Sequence, residues 1–469
     1  FDSTSAMIYW AKALAYGPNI NDFEYSAAPA AYSASQKAMT LSVNCSAKEK
    51  MLINAMAIRY SLDTSKKQTV LNKLYSAKMQ EAYRANPNDE DVAALYADAM
   101  MIEHPWDYWK HDGTAQAWTP AITTVLEKLL KQDSLHPGAN HYYIHMIEAS
   151  PDPGKALPSA NRLGKMMPGL SHVVHMPSHI YVRTGYYKEG EEVNEDAVTG
   201  FNKYLALYPD VNLGNFFYVT HNIHLQTANA LMLGDYGYSM NSALKLRNSF
   251  DSSVMSAKAP MGTYTQWIYY TPLMLMVRYG KWQEILHNEI VPAQYAYGNA
   301  IWHWARGMAY AGENDMAAAK KELDLLKEQL KLPDMKVVYT PFNAPIDAAK
   351  IAVEILAGQI AFKESDYIKS KAHFKLAVID EDALLYNEPA DWLLPARQFL
   401  GESLQRSNPL EAEQIFREDL KQHPRNIWSQ YGLYQSLINQ KKHTEAASEK
   451  KLLNELQKSS DKPITAAAY

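Results

Sequence analysis

Hydrophobic residues recur at helical spacing over most of this chain, and the period-two alternation of a β-strand does not persist. The helical segments come in pairs separated by short turns. The β-hairpin dipeptides Asn-Gly and Asp-Gly do not join apolar runs, and the one Asp-Gly, at Asp112, lies in a polar loop. The pattern therefore predicts an all-α protein.

Glycines mark the turns between the paired helices. Each of four glycines stands where one helix is predicted to end and a second begins, and glycine accepts the left-handed cap conformation there at little cost. These are Gly185, Gly234, Gly280 and Gly312, at intervals of 49, 46 and 32 residues. Repeats of this size are typical of a solenoid. Pro177 and Pro272 lie inside helical patterns, where each predicts a bend.

Over most of the chain these units resemble the tetratricopeptide repeat, a helix–turn–helix of about 34 residues. Five segments also resemble a group of bacterial tetratricopeptide-like proteins: HPGANHYYIH (136–145), HMPSHIY (175–181), HNIH (221–224), PWDYW (105–109) and EPADWLLPARQFLGESL (388–404). The resemblance implies an α-solenoid, a superhelix of tetratricopeptide-like repeats.

We expect a single continuous α-solenoid over residues 1–469. It would comprise N-terminal repeats (1–135) with an aromatic loop (103–113), His-rich repeats (136–250), aromatic and arginine-containing groove repeats (251–387), and C-terminal and capping repeats (388–469). The last helices are highly charged, and a capping repeat requires such a polar outer face. The aromatic loop is expected either to close over the groove or to plug it.

Composition narrows the classes of partner. The net charge of −5 leaves no basic excess for nucleic acid, and no run approaches the 18 apolar residues of a membrane span. A single cysteine, Cys45, excludes an intramolecular disulfide. The sequence begins at Phe1 instead of Met, which predicts a removed targeting segment or missing upstream chain, and hence a soluble, exported protein.

Seven histidines within 84 residues are the main chemical signal. They are spaced by three, four or seven residues within three short groups, so each group shares one helix face. Imidazole is the commonest protein ligand for transition metals. In tetratricopeptide proteins, positions 2, 5 and 9 of the first helix face the groove. Aligning Gly185 and Gly234 at position 15, and Ala156 at position 20, puts all seven histidines at such positions.

The sequence thus predicts one concave metal site formed by His141, His145, His172, His175, His179, His221 and His224. Glu148 is a candidate ligand or a partner for the second nitrogen of an imidazole, and Asp98 is a weaker candidate for the same role. The scarcity of nearby thiols and thioethers favours zinc, copper(II) or iron. Alternatively, the histidines hydrogen-bond to neighbouring tyrosines in the core.

The same alignment places Trp267, Tyr270, Trp302 and Arg306 along the groove of the following repeats. Aromatic walls with an arginine suit a substrate or peptide that has an apolar body and an anionic end. Packing between repeats is the alternative role for these side chains.

Two functions remain open from the sequence. The first is a metal-binding groove, with the possibility of a metal-dependent enzyme whose reaction is unknown; the two HxxxH segments lack the glutamate of a HExxH metalloprotease. The second is a non-catalytic scaffold whose groove binds a peptide, a protein or a small molecule. The concentration of histidines at groove positions favours the first.

Overall fold

The computed structural model describes residues 2–21, 28–209, 216–250, 252–339 and 343–468. Within these ranges the backbone forms α-helices and short 3₁₀ turns and no β-strand, which confirms the all-α fold. None of the helices described has both the length and the apolar character needed to cross a bilayer.

The chain divides into two compact units, Phe1–Met166 (unit 1) and Met167–Tyr469 (unit 2). The helices of unit 1 are α1 (Ala6–Ala15), α2 (Ala28–Leu41), α3 (Ala47–Ile58), α4 (Gln68–Ala85), α5 (Glu90–Glu103), α6 (Thr119–Gln132), α7 (Pro137–Ile147) and α8 (Leu157–Met166). The division falls inside the predicted His-rich repeats, and a single continuous solenoid over the whole chain stays a prediction.

Over the described residues, unit 2 has more helices than unit 1. They are α9 (Ser171–His175), α10 (Pro177–Thr184), α11 (Tyr187–Leu207), α12 (Phe216–Leu233), α13 (Tyr236–Arg247), α14 (Ser252–Met255), α15 (Met261–Tyr269), α16 (Thr271–Arg278), α17 (Trp282–Leu286), α18 (Ala296–Gly312), α19 (Met316–Gln329), α20 (Pro345–Lys363), α21 (Tyr367–Asp382), α22 (Ala396–Leu404), α23 (Pro409–Gln422), α24 (Ile427–Asn439) and α25 (His443–Leu456).

In each unit, helices that follow one another in sequence pack against each other, as α4 does with α5, α18 with α19 and α20 with α21. This consecutive pairing is the arrangement of an α-solenoid of tetratricopeptide type, and it confirms the predicted fold class. Short connections and apolar inner faces account for the pairing, because a helix must bury its apolar stripe against its nearest neighbour.

All four glycines stand where one helix ends and another follows, as predicted, and the left-handed conformation expected there is confirmed at three of them and wrong at Gly312. Gly185, Gly234 and Gly280 have φ values of 79°, 76° and 62°, as left-handed caps require. At the fourth turn Asn314 takes the left-handed conformation with φ 63°. Gly312 instead ends α18, where a Cβ atom would lie 2.5 Å from Nε1 of Trp282, so this glycine makes room for an indole ring.

The two internal prolines each divide a predicted helix. Pro177 begins α10 directly after α9, and Pro272 lies in the first turn of α16 directly after α15. Because proline has no N–H to donate, the hydrogen-bond ladder of the helix is interrupted at these points.

Distant parts of unit 2 are joined by a terminal strap, residues 460–468. Asp461 accepts hydrogen bonds from the backbone N–H groups of Tyr236 (2.8 Å) and Gly237 (2.9 Å) at the start of α13. Ala467 donates to Glu402 Oε2 (2.9 Å), and its carbonyl accepts from Arg278 Nη1 (2.7 Å). Most of the apolar side chains of the strap are buried, so it belongs to the packed structure of the unit.

Candidate metal centre

Three of the predicted histidines meet in unit 2. His175 ends α9, His179 lies in α10 and His221 lies in α12. The Nε2 atom of His175 is 2.9 Å from Nε2 of His179 and 3.0 Å from Nε2 of His221. Nε2 of His179 is 3.5 Å from Nε2 of His221. We call these three residues the histidine triad.

The local sequence explains how the triad forms. His175 and His179 are four residues apart and so lie one turn from each other, with Pro177 between them at the start of α10. His221 comes from α12, which α11 connects to α10, and α11 packs against both. Two imidazoles from adjacent helical turns thus meet a third imidazole from the next repeat.

A hydrogen-bonded amide fixes the protonation of His175. Asn194 Nδ2 donates to the carbonyl of Gly190 (2.7 Å), which identifies Asn194 Oδ1 as an acceptor. His175 Nδ1 lies 2.6 Å from that oxygen and must carry the proton. The Nε2 atom of His175 therefore presents a lone pair to the other two imidazoles.

Burial keeps His175 neutral. The side chain is fully buried, and burial lowers its pKa well below the ordinary value, with the nearby His221 and His179 adding to the effect. A neutral imidazole with a free lone pair is the form that coordinates a metal ion.

Glu388 holds the other side of His179. A carboxyl oxygen of Glu388 contacts Nδ1 of His179, and both side chains are more than nine-tenths buried. Burial raises the pKa of Glu388 well above its ordinary value, while the positive charge of Arg183 opposes the shift. A cation at Nε2 of His179 would stabilise the ionised carboxylate through the imidazole. Carboxylate, imidazole and metal in this order form a common arrangement in zinc proteins.

The distances within the triad fit a shared ion. Two nitrogens bound at about 2.0–2.1 Å to one tetrahedral ion lie about 3.3–3.4 Å apart. The observed separations of 2.9, 3.0 and 3.5 Å bracket that value. Converging lone pairs repel each other unless a proton or a cation lies between them, so the triad has the donors and the spacing of a three-histidine centre.

His224 lies outside this cluster, although it is three residues from His221 on the same helix. Its Nε2 is 3.1 Å from the hydroxyl of Thr271, and its ring lies 4.6 Å from that of Trp267. An offset of three residues turns a side chain about 60° around a helix, and here that rotation directs His224 into the packing against α15 and α16. Burial lowers its pKa to about 3.

His172 is the remaining predicted histidine of unit 2. It lies in the first turn of α9 and is half-buried. Its ring centroid is 6.3 Å from that of His175, which is farther than the 4.7–4.8 Å that separates His175 from the other two members of the triad. It neighbours the triad without belonging to it.

His141 and His145 belong to unit 1, where both lie on α7 with ring centroids 4.9 Å apart. Nδ1 of the buried His145 is 3.3 Å from Glu148 Oε1, so Glu148 contacts an imidazole as the sequence suggests. Asp98 is buried in α5, where burial raises its pKa to about 6 against the opposing charge of Arg59.

The aromatic loop 103–113 packs within unit 1. The Trp106 ring meets His145 edge-on with centroids 5.0 Å apart. Trp109 Nε1 donates to the carbonyl of Met146 (2.7 Å), and Tyr108 donates to the carbonyl of Met101 (3.2 Å). These contacts give the loop the packed character of a plug.

Most of the aromatic and arginine side chains that were predicted to line the groove instead pack against other side chains. Trp267 is buried and donates through Nε1 to the carbonyl of Asp391 (3.1 Å). Arg306 donates to Glu322 Oε1 (2.9 Å) and stacks on half-buried Trp302, with Cζ 4.7 Å from the ring centroid. Since Glu322 already neutralises Arg306, the free groove cation that the sequence suggests is not found there. Tyr270 lines a cavity.

Two residues that orient the triad were missed from the sequence. Asn194 lies on α11. The only feature of the sequence that could have suggested its role is that it lies in the helix following the one that contains His179. Glu388 opens the segment EPADW, which resembles a motif of the bacterial group, but nothing in its spacing connects it with the histidines. Both act through contacts that only the packing of the repeats creates.

Comparison with known proteins adds little to this picture. No protein-family model and no curated protein matches the chain. Similar solved structures include a human IFIT1 dimer with m7Gppp-AAAA, at 11% identity and a TM-score of 0.39, covering 97% of this chain and 95% of that one. The yeast Tom70 structure is 12% identical with a TM-score of 0.30, covering 97% and 92%. A structure of Naa15/Naa10 bound to HypK-THB is 13% identical with a TM-score of 0.25, covering 98% and 85%.

Proposed function

We propose that the histidine triad binds one divalent transition-metal ion through the three Nε2 atoms, and that zinc is the ion it suits best. The observation that carries the proposal is the convergence of His175, His179 and His221, with Nε2 separations of 2.9–3.5 Å. The hydrogen bond from His175 to Asn194 and the contact of His179 with Glu388 support it, because both leave Nε2 directed at the shared point.

The donor set favours zinc over the other candidates. Three neutral imidazoles match the borderline character of zinc and of copper(II), whereas copper(I) prefers thiolates and thioethers. Iron in oxygenases is typically held by two histidines and one carboxylate, and here Glu388 touches the Nδ1 side of His179 instead of the shared point. Zinc accepts three imidazoles with a tetrahedral fourth position.

An open fourth position would give the centre a chemical role. Zinc held by three histidines lowers the pKa of a bound water to about 7 and polarises carbonyl or phosphoryl oxygens. Asn194 and Glu388 would keep the ligand nitrogens aimed at the ion, and an ionised Glu388 would supply negative charge behind His179. We therefore propose a zinc-dependent function, with hydrolysis or another Lewis-acid reaction as its chemical class.

The test is the metal content of untagged protein. The purified chain is expected to hold close to one equivalent of metal by elemental analysis, and to regain one equivalent of zinc after chelation. Replacing His175 or His221 by Ala should abolish stoichiometric zinc. The matched control is His224→Gln, which changes another buried imidazole of α12 and should leave the zinc content unchanged.

A second control uses His287, an exposed histidine outside the triad. His287→Ala should retain full zinc. Less than a tenth of an equivalent in the wild-type protein after zinc loading would contradict the proposal, as would zinc that persists in the His175→Ala/His221→Ala double variant.

A second candidate function, peptide binding, is favoured by the terminal strap. Glu402 accepts from the N–H of Ala467 and Arg278 donates to its carbonyl, so both main-chain groups of one extended residue are held by side chains. A synthetic peptide of residues 460–469 should then bind, at micromolar concentration, to a chain that ends at Ser459. Absence of saturable binding by fluorescence anisotropy would reject this function.

A further inference from the structure

A cavity of about 220 Å³ lies in unit 2 between the end of α13 and the segment that follows α17. Three tyrosines, Tyr269, Tyr270 and Tyr295, line it together with apolar residues, and the charged Arg247 and Glu289 also line it. Pockets for drug-sized ligands typically have volumes of about 300–1,000 Å³, so this cavity is smaller. The volume therefore suits one side chain or a molecule of similar size.

The aromatic walls are held in place by their neighbours. Tyr269 and Tyr270 meet edge to face with ring centroids 5.0 Å apart. A Cβ atom on Gly298 would lie 2.4 Å from the Tyr270 ring, so that ring fills the space a side chain would need. The hydroxyl of Tyr295 lies 3.3 Å from that of Ser256. A cavity whose walls are fixed in this way is preformed for a ligand.

Arg247 is the positively charged group of this cavity, which the acidic Glu289 also lines. Its Cζ lies 4.9 Å from the centroid of the Tyr269 ring, and within the described residues its guanidinium makes neither a hydrogen bond nor an ion pair. The contrast with Arg306 is direct, since Arg306 donates to Glu322 and to the hydroxyl of Tyr310. Arg247 is half-buried, so an anion placed beside it would be partly shielded from water.

We propose that this cavity binds a carboxylate attached to a small apolar or aromatic body, with the body between the tyrosines and the carboxylate on Arg247. A guanidinium presents paired N–H groups that match the two oxygens of a carboxylate. Glu289 is an exposed residue that also lines the cavity, and it weakens the attraction for an anion. The ligand is a free acid or the last residue of a peptide, which share this chemistry.

The test compares matched acids and amides by isothermal titration calorimetry on the full chain. N-acetyl-phenylalanine is expected to bind at least about tenfold more tightly than N-acetyl-phenylalaninamide, because only the acid engages Arg247 in a charge-assisted contact. Arg247→Gln should remove that preference while leaving the weaker binding of the amide unchanged. Glu289→Gln should strengthen binding of the acid by about two- to threefold, because a nearby like charge is removed.

Two further comparisons complete the experiment. Arg406→Gln, at an exposed arginine elsewhere in unit 2, should leave both affinities unchanged. A pentapeptide ending in Phe that binds tenfold more tightly than the N-acetylated acid identifies a peptide terminus as the ligand, and equal affinities identify a small acid. Equal binding of acid and amide to the wild type, or an acid affinity unaffected by Arg247→Gln, would overturn the proposal.

Discussion

The histidine triad and the pair formed by Trp302 and Arg306 were predicted by the same repeat alignment, yet their polar groups are used differently. At the triad, Nε2 of His175 faces the other two imidazole nitrogens, at 2.9 and 3.0 Å. At the second region, Arg306 is neutralised by Glu322, which also contacts Nδ1 of His303 at 2.6 Å. Repeat alignment thus identifies the side of a helix, whereas the binding capacity of a side chain depends on its partners in three dimensions.

The difference has a physical basis in where counter-charge is placed. Glu322 forms an ion pair with the guanidinium of Arg306, so the charge of Arg306 is already balanced within the protein. Glu388 and Asn194 contact the triad from behind, at the Nδ1 atoms, and leave the Nε2 atoms facing one another. A buried cluster of lone pairs is stable only with a proton or a cation among them, so the triad, unlike the Arg306 pair, has facing nitrogen atoms that suit a shared cation.

Metal removal should separate the two regions most strongly. At free zinc about 1,000 times its dissociation constant, binding stabilises the folded state by about 4 kcal/mol. Wild-type protein loaded with zinc should melt several degrees higher than the same protein after chelation. The His175→Ala/His221→Ala variant should show the same melting temperature with and without zinc in differential scanning calorimetry. If the wild-type protein melted at the same temperature with and without zinc, the triad would not differ from the Arg306 region in binding a metal ion.

Trp267, which the same repeat alignment also placed along the groove, donates to the carbonyl of Asp391, and the buried carboxyl group of Asp391 should give the protein a pH dependence. Burial raises the pKa of Asp391 from 3.8 to about 6, although Asn343, Asn387 and Tyr339 donate to the carboxylate and oppose the shift. Between pH 4 and 6 the unfolded chain ionises while the folded protein keeps its proton. Stability should therefore fall as pH rises through this window, by about 2–3 kcal/mol.

Asp391→Asn tests this dependence. The variant loses a good acceptor and is expected to be less stable than wild type at pH 4, but that specific fall between pH 4 and 6 should disappear. Urea unfolding at closely spaced pH values measures it. Parallel pH profiles for wild type and variant would show that Asp391 does not titrate in this range.

The residues behind the triad should tune the affinity for zinc. Asn194→Ala and Glu388→Gln are each expected to weaken zinc binding by about 10–100-fold, the usual cost of removing a group that orients a metal ligand. Competition with a chromogenic chelator gives the dissociation constants. Affinities within a factor of two of wild type would mean that these contacts do not orient the imidazoles.

Arg306→Ala should act on stability and not on zinc. Its side chain is 17% exposed and that of Glu322 is 9% exposed, so partial screening reduces the cost of breaking the pair to about 1–2 kcal/mol. Chemical unfolding at neutral pH measures the loss, and zinc titration serves as the control. A large loss of zinc affinity would show that the two regions are coupled.

His224→Gln should have the smallest effect on the centre. His224 bonds to Thr271 and not to the triad, so zinc affinity should change by less than about twofold, within the effect of ordinary packing changes. If His224→Gln reduced the zinc affinity as much as His221→Ala does, His224 would have to be counted as a zinc ligand.

The fold was largely predictable because helical periodicity and turn glycines are local signals. Gly185, Gly234 and Gly280 stand at left-handed turns as expected, while Gly312 was misjudged because its role is to admit Trp282. The triad was predicted only as part of a larger set. Whether His221 or His224 faces His175 depends on the rotation and packing of α12, which spacing alone does not determine.

The partners of the site were the least predictable part. Glu388 reaches His179 from a loop more than 200 residues further along the chain, and Glu322 meets Arg306 from the next helix. Such contacts arise when repeats close on one another, and the spacing of residues in one sequence carries no signal for them.

The terminal strap has a consequence for how the protein is made. Asp461 completes the start of α13 across 225 residues of chain. A ribosome adding about 5–20 residues per second needs roughly 10–45 s to travel that distance. Throughout that interval the nascent α13 lacks its final cap, and the surfaces that Ile464 and Ala467 will cover stay open to chaperones and to other nascent chains.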